Sequence, residues 1–272
     1  MNHEALLRLT VFVGVVLALA LWEGLAPRLD RPAERLRRWP GNLGLVALST
    51  LLIRLLVPVL PVGLAALAQA RGWGLCNVLA LPDPAAGQWA GQWVGLSAGL
   101  ISILLLDLAI YWQHVASHRW RWFWLLHRVH HADTVLDLTT AVRFHPLEML
   151  LSLGYKLALV LALGPPAWAV LTFEILLNAL PLFNHANARL PLCLDRWLRL
   201  LVVTPDMHRV HHSTNMREAN TNFGFCFPWW DRLFSTYQDQ PGAGHQGMTI
   251  GLTIFRAPAE ARLWRLLRMP FV

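Results

Sequence analysis

The sequence predicts an all-α fold: a polytopic bundle of about four or more membrane-spanning helices, with a histidine-rich helical cap on the cytoplasmic side. Three observations predict it. Of 272 residues, 56% are hydrophobic and only 14% charged, where a soluble domain carries about a quarter charged residues. The apolar residues gather in long runs, with a mean hydropathy of +0.42. Ten of the twelve histidines fall in short motifs beyond the second of those runs. The same composition excludes a disordered chain, which is poor in apolar residues.

The first run covers about Leu6 to Ala26, long enough for one crossing, which needs about 20 apolar residues. Ala18 and Ala20 also make an A-x-A site, so a cleavable signal peptide is the competing reading. It is the weaker one. The preceding region is barely basic, with Glu4 against Arg8, whereas Arg28, Arg31, Arg35, Arg37 and Arg38 follow directly. Five arginines hold that end in the cytoplasm and leave the N-terminus outside.

The second run, Leu43 to Ala70, is interrupted by Pro58 and Pro61 and is expected to bend or split there. The third, Trp93 to Trp112, leads straight into the first histidine motif. The fourth, Leu147 to Phe183, is too long for one crossing. Gly164, Pro165 and Pro166 in its middle make it a helical hairpin. Arg119, Arg121, Arg128 and Arg143 follow the third run and ten arginines follow the fourth, so both segments are expected inside. Trp112, Trp120, Trp122 and Trp124 mark the cytoplasmic interface, the depth indoles prefer. The chain reads as one membrane domain over 1–272, with spanning helices in 1–100, the histidine region in 101–240 and a tail in 241–272. No linker, low-complexity tract or repeat beyond the histidine motifs divides it.

The net charge is +7, and Lys156 is the only lysine. The arginines flank apolar runs instead of forming one basic stripe, so no nucleic-acid partner is expected. Cys76, Cys193 and Cys226 are scattered and form no CxxC pair, which excludes a disulfide framework and a zinc ribbon.

His114 and His118 form HxxxH. His127, His130 and His131 form HxxHH, and His208, His211 and His212 repeat it. His145 sits in Arg-Phe-His-Pro and His185 in Asn-His-Ala-Asn. On a helix, residues i, i+3 and i+4 share a face, so each motif should aim two or three imidazoles at one point. Neutral imidazole binds zinc, iron, copper or nickel. Nine or ten ligands suffice for two ions. A haem would use two axial histidines and leave the rest unexplained, and HExxH, the zincin motif, is absent. His3 and His245 stand apart and read as ordinary polar groups. Asp107, seven residues before His114, is a candidate to orient a ligand ring, as are Glu148 beside His145 and Glu174 with Asn178.

The motif order resembles the fatty acid hydroxylase/sterol desaturase superfamily of membrane di-iron enzymes, and its bacterial branch. Asp107 with Tyr111-Trp112-Gln113-His114 resembles the family's helix entering the first motif. Arg143-Phe144-His145-Pro146-Leu147-Glu148, Asn184-His185-Ala186-Asn187 and the block from Thr204 through His212 to Ser213 resemble it as well. So do Asn222-Phe223-Gly224 and the closing block from Trp230-Asp231 to Tyr237. The resemblance covers about residues 100–240. Ser235 departs from it, standing where glycine is expected. Asn-His-Ala-Asn supplies one histidine where some members have a pair, which makes His145 the candidate to complete the ligand count.

The resemblance implies two iron ions, dioxygen, and hydroxylation or desaturation of an unactivated C–H bond of a lipid, hydroxylation first. It implies an integral protein of the bacterial inner membrane, and the arginine pattern puts the expected metal site on the cytoplasmic side. No dinucleotide-binding GxGxxG or other redox module is present in the sequence, so electrons are expected from a separate electron-transfer protein. A membrane hydrolase using two zinc ions, and a non-catalytic metal-binding or transport protein, are the readings from other classes. A transporter, however, would hold its ligands near the bilayer midplane.

Overall fold

A computed structural model of the protein describes residues 3–30, 32–79 and 87–272. Arg31, one of the five arginines after the first run, lies outside the described residues. The helices are α1 (His3–Leu25), α2 (Pro32–Leu56), α3 (Pro61–Arg71), α4 (Leu75–Leu79), α5 (Gly87–Arg119), α6 (Arg121–His131), α7 (Pro146–Leu163), α8 (Ala167–His185), α9 (Leu192–Leu198) and α10 (Pro205–His211), followed by shorter turns. Among the described residues the only β pairing is two isolated bridges, Pro27 with Ala188 and Ser213 with Ile250. The predicted all-α membrane bundle is the fold.

Among the described residues, five segments are long and apolar enough to cross a membrane: 3–25, 37–79, 92–119, 146–163 and 167–185. The count exceeds four because both legs of the hairpin qualify. Gly164 makes that turn in the left-handed region, at φ 61°, where an L side chain would be strained. A Cβ on Gly164 would also meet the Trp73 carbonyl oxygen at 2.4 Å. The second run splits where its prolines stand: α2 ends at Leu56, and α3 begins with Pro61 at a position that needs no backbone donor.

The outer faces are apolar, as a lipid-facing surface must be. Leu17 and Leu21 of α1 are 64% and 62% exposed. Inward, Ile103, Leu106 and Ile110 of α5 pack with Ala169 and Phe173 of α8. Gly99 permits this approach, since a Cβ there would lie 2.0 Å from the Trp168 ring.

Helix α5 has 33 residues, about 50 Å at 1.5 Å per residue, and the hydrocarbon core is only about 30 Å thick. Its last turns therefore run past the apolar layer and carry the first histidine motif into the cap. The cap is tied down by buried ion pairs. Arg38 donates to Asp133 at 2.7 Å and to Asp137 at 2.8 Å. The Glu23 carboxylate accepts from the backbone of Leu138 at 2.8 Å and Asn187 at 2.7 Å. Arg28 reaches Asp206 and Arg35 reaches Glu23. Several arginines that read as topology charges thus also fasten the cap to α1 and α2.

Two further expectations change. Trp112, Trp120 and Trp122 are exposed, but Trp124 packs at a tilt against His118 and His131, with ring centroids 5.1 and 5.5 Å away. The tail is partly core: Leu266 and Met269 are buried with Leu45, Val129 and Ala132, because Gly41 lets the Ala261 carbonyl approach α2.

Candidate metal centre

Nine histidines converge in the cap, and they do so as two groups. His114, His118, His127, His131 and His211 form one; His130, His185, His208 and His212 form the other. In each group the candidate ligand atoms lie within 4.8 Å of one another. All nine rings are buried except that of His118, which is partly buried.

Helix geometry explains the division, and corrects the expectation that each HxxHH aims at one point. Residues i and i+4 are about 40° apart around the axis, while i+3 and i+4 are about 100° apart. The first HxxHH sends His127 and His131 (i, i+4) to one group and His130 to the other. The second reverses the assignment: His208 and His212 go together, and His211 crosses over. Adjacent rings are accordingly nearly perpendicular, at 85° for His130 and His131 and 84° for His211 and His212.

Backbone carbonyls and one carboxylate orient the rings. His114 Nδ1 donates to the Phe223 carbonyl at 2.7 Å, His211 Nδ1 to that of Thr221 at 2.7 Å, and His185 Nδ1 to that of Pro181 at 2.8 Å. His127 Nδ1 donates to Glu148 Oε1 at 2.7 Å. A carbonyl or ionised carboxylate can only accept, so each bond fixes the proton on Nδ1 and leaves a lone pair on Nε2. His114, His127 and His211 each bury that Nε2 without a hydrogen-bond partner.

In the second group His185 Nε2 has three ring nitrogens around it: those of His130 at 3.1 Å, His208 at 3.1 Å and His212 at 3.3 Å. One lone pair cannot satisfy three donors. Nitrogens sharing an ion with bonds of about 2.1 Å sit about 3.0–3.4 Å apart. Buried lone pairs with no donor, and nitrogens at this spacing, fit one metal ion in each group.

Electrostatics agree. Burial first, and neighbouring imidazoles second, hold His130, His131, His208 and His212 well below the ordinary histidine range. Burial brings His211 down to about 3. The rings are therefore neutral, the form that binds metals.

Of the residues proposed to support the site, Glu148 touches a ligand candidate. Asp107 does not: it accepts from Trp230 Nε1 at 2.8 Å and the backbone of Cys226 at 3.3 Å. It anchors the loop that carries Phe223 and so acts one step removed from His114. Glu174 pairs with Arg8 at 2.7 Å, and Asn178 donates to the Glu174 carbonyl at 2.6 Å. His145 joins neither group. Its Nδ1 accepts from Leu147 N at 3.2 Å, capping α7, and its Nε2 donates to the Leu267 carbonyl at 3.2 Å. The Pro146 that follows it starts α7 and turns this ring into a cap.

Sequence reasoning passed over Asp133 and Asp231. Burial favours a neutral Asp133, but Arg38 and Arg143 outweigh it and hold the carboxyl at about 2; it pins the chain two residues after His131. Asp231 accepts from the backbone of Phe223 and Gly224, both at 2.8 Å, and fixes the carbonyl that orients His114. The Trp-Asp and Asn-Phe-Gly blocks were a usable signal for the latter.

An apolar cavity of about 190 Å³ opens beside the first group. His114, His127 and Glu148 line it, with Phe12, Ile110, Phe144, Met149, Leu177 and Phe225 among its apolar walls.

The sequence pattern of the family described as fatty acid hydroxylase matches residues 99–236. Among curated relatives, an ornithine lipid hydroxylase, OlsE, of Rhizobium tropici is 27% identical over 56% of this chain and 45% of its own. An alkylglycerol monooxygenase of Danio rerio is 29% identical over 67% of this chain and 38% of its own. The C-4 methylsterol oxidase erg25 of Schizosaccharomyces pombe is 27% identical over 51% and 46%. The chain thus matches less than half the length of each of these relatives. No solved structure matches it. With the matched pattern covering half the chain and all nine converging histidines, this membrane protein belongs to the fatty acid hydroxylase family.

Proposed function

We propose that the protein is a dioxygen-dependent di-iron enzyme that hydroxylates an unactivated C–H bond of a membrane lipid. One iron would be held by His114, His118, His127, His131 and His211, the other by His130, His185, His208 and His212. The observation that carries this reading is the pair of adjacent buried all-histidine groups, the first of which borders an apolar cavity among membrane helices. The relatives' printed activities, all oxidations of lipids or sterols, support the reaction class.

A redox metal supplies what side chains lack, electrons for activating dioxygen. The protein's own residues do the rest. The carbonyls of Phe223, Thr221 and Pro181 and the Glu148 carboxylate hold rings in one tautomer. The aromatic and aliphatic walls exclude water and favour a hydrocarbon chain. Asp231 and Asp107 keep the Phe223–Phe227 loop against α5.

Electrons would come from a separate protein at the cap, and the cap would lie on the cytoplasmic side of the bacterial inner membrane. Arg28, Arg35, Arg37 and Arg38, at the junction of α1 and α2, support that orientation. The test is lipid analysis of a host with and without the protein under ¹⁸O₂. The expected result is a lipid carrying one new ¹⁸O atom; turnover independent of dioxygen, with zinc as the only bound metal, favours the hydrolase and overturns the proposal.

A further inference from the structure

One cavity wall carries a polar line that starts at Glu148 and continues, beyond the metal centre, into residues the proposed oxidation does not use. Glu148, Ser152 and Lys156 follow one another at four-residue spacing on α7, so they stack on one face, and all three line the cavity. Eight residues separate Glu148 from Lys156, about 12 Å along the helix. Ser152 Oγ donates to Gln113 Oε1 at 3.3 Å, and Asn178 also lines the cavity, one helical turn from Glu174, the ion-pair partner of Lys156.

Lys156 is the chain's only lysine, and it lies within an apolar spanning segment. Its ion-pair partner among the described residues is Glu174 Oε1 at 3.6 Å, beyond hydrogen-bond length. Arg8 takes the other oxygen of that carboxylate at 2.7 Å. Among the described residues the ammonium thus has one loose ion pair and no hydrogen-bond acceptor, and its partly exposed end faces the cavity with donors to spare. Such donors are costly in a medium without water, and an ionisable group in a span is a functional candidate. Two acids, Glu4 and Glu174, balance two bases, Arg8 and Lys156. A charged occupant would upset that balance; a neutral oxygen would not.

We propose that Lys156, with Asn178, is a specificity subsite for the cavity's lipid. It selects a lipid bearing an uncharged oxygen, hydroxyl or carbonyl, about 12 Å from the end held beside His127. The proposal rests on reading the cavity as a lipid chamber. It names a substrate class that a plain hydrocarbon chain does not meet.

The test uses the full-length, metal-loaded protein in nanodiscs, with deuterated 1-decanol and deuterated decane as probes, matched to the distance between the two ends of the site, and retained probe counted by native mass spectrometry. Wild type should retain the alcohol about tenfold over the alkane, the worth of one charge-assisted hydrogen bond. In Lys156→Met the ratio should fall to near one. Asn178→Leu should lower it in part, and both variants should keep wild-type metal content because neither residue touches a histidine. Equal retention of the two probes by wild type, or an unchanged ratio in both variants, overturns the subsite. Preserved selectivity in a protein that oxidises no lipid would leave the subsite standing and sink the oxygenase reading instead.

Discussion

Glu148 offers the sharpest single perturbation. Among the described residues it is the one carboxylate hydrogen-bonded to any of the nine histidines, through a 2.7 Å bond to His127 Nδ1. A hydrogen bond to a charged group contributes about 1.5–3 kcal/mol, and loss of such a partner typically costs about 10–100-fold in metal affinity. Glu148→Gln keeps an oxygen that can accept from Nδ1 but removes the charge, so metal affinity should fall about tenfold. Glu148→Leu removes the acceptor altogether. It leaves the ring free to turn and His127 Nδ1 buried without a partner, so the loss should approach 100-fold. The assay is competition with a soluble chelator, reading metal retained per chain at equilibrium. Wild-type retention in both variants would refute the argument that this bond fixes the His127 lone pair.

Four other outcomes follow from the same geometry. His145→Ala should keep full metal content and lose only about 1 kcal/mol of stability, the worth of a helix cap, whereas His211→Ala should lose metal from its group while the helical bundle still folds; metal analysis and circular dichroism separate the two. Gly99→Val should destabilise the α5–α8 contact by about 1–3 kcal/mol through overpacking against Trp168, read as a lower melting temperature in detergent. Arg38→Met should cost about 3–5 kcal/mol by stranding Asp133 and Asp137 in the interior, measured by denaturant unfolding. Burial raises Asp231 to about 6, above its unfolded value, so its protonation stabilises the fold at low pH and that contribution is lost as pH rises through 6; against Asp231→Asn, wild type should gain stability between pH 6 and 4, and a constant difference would contradict this.

The bundle was legible because lipid demands long apolar runs, and because Gly164-Pro165-Pro166 and Pro58 with Pro61 punctuate them where the helices do turn or break. The histidine clusters were legible because four-residue spacing stacks side chains. Which ring joins which group was not. That depends on how α5, α6, α8 and α10 are rotated against one another, a tertiary property that no single motif records. His145 misled for a local reason: a histidine before proline can cap a helix as well as bind a metal. Asp107 misled because heptad spacing places it below His114 on α5, yet the loop at Cys226–Trp230 reaches it first. The carbonyls that orient His114, His185 and His211 carry no side-chain signature and could be found only in three dimensions.

The most direct measurement of the central claim is metal content and iron spectroscopy on protein purified without oxygen from iron-replete cells, in wild type and in paired variants. The account predicts two irons per chain in wild type. It predicts loss of one group's metal in His118→Ala and of the other's in His185→Ala. A single metal per chain, or no change in either variant, would contradict it.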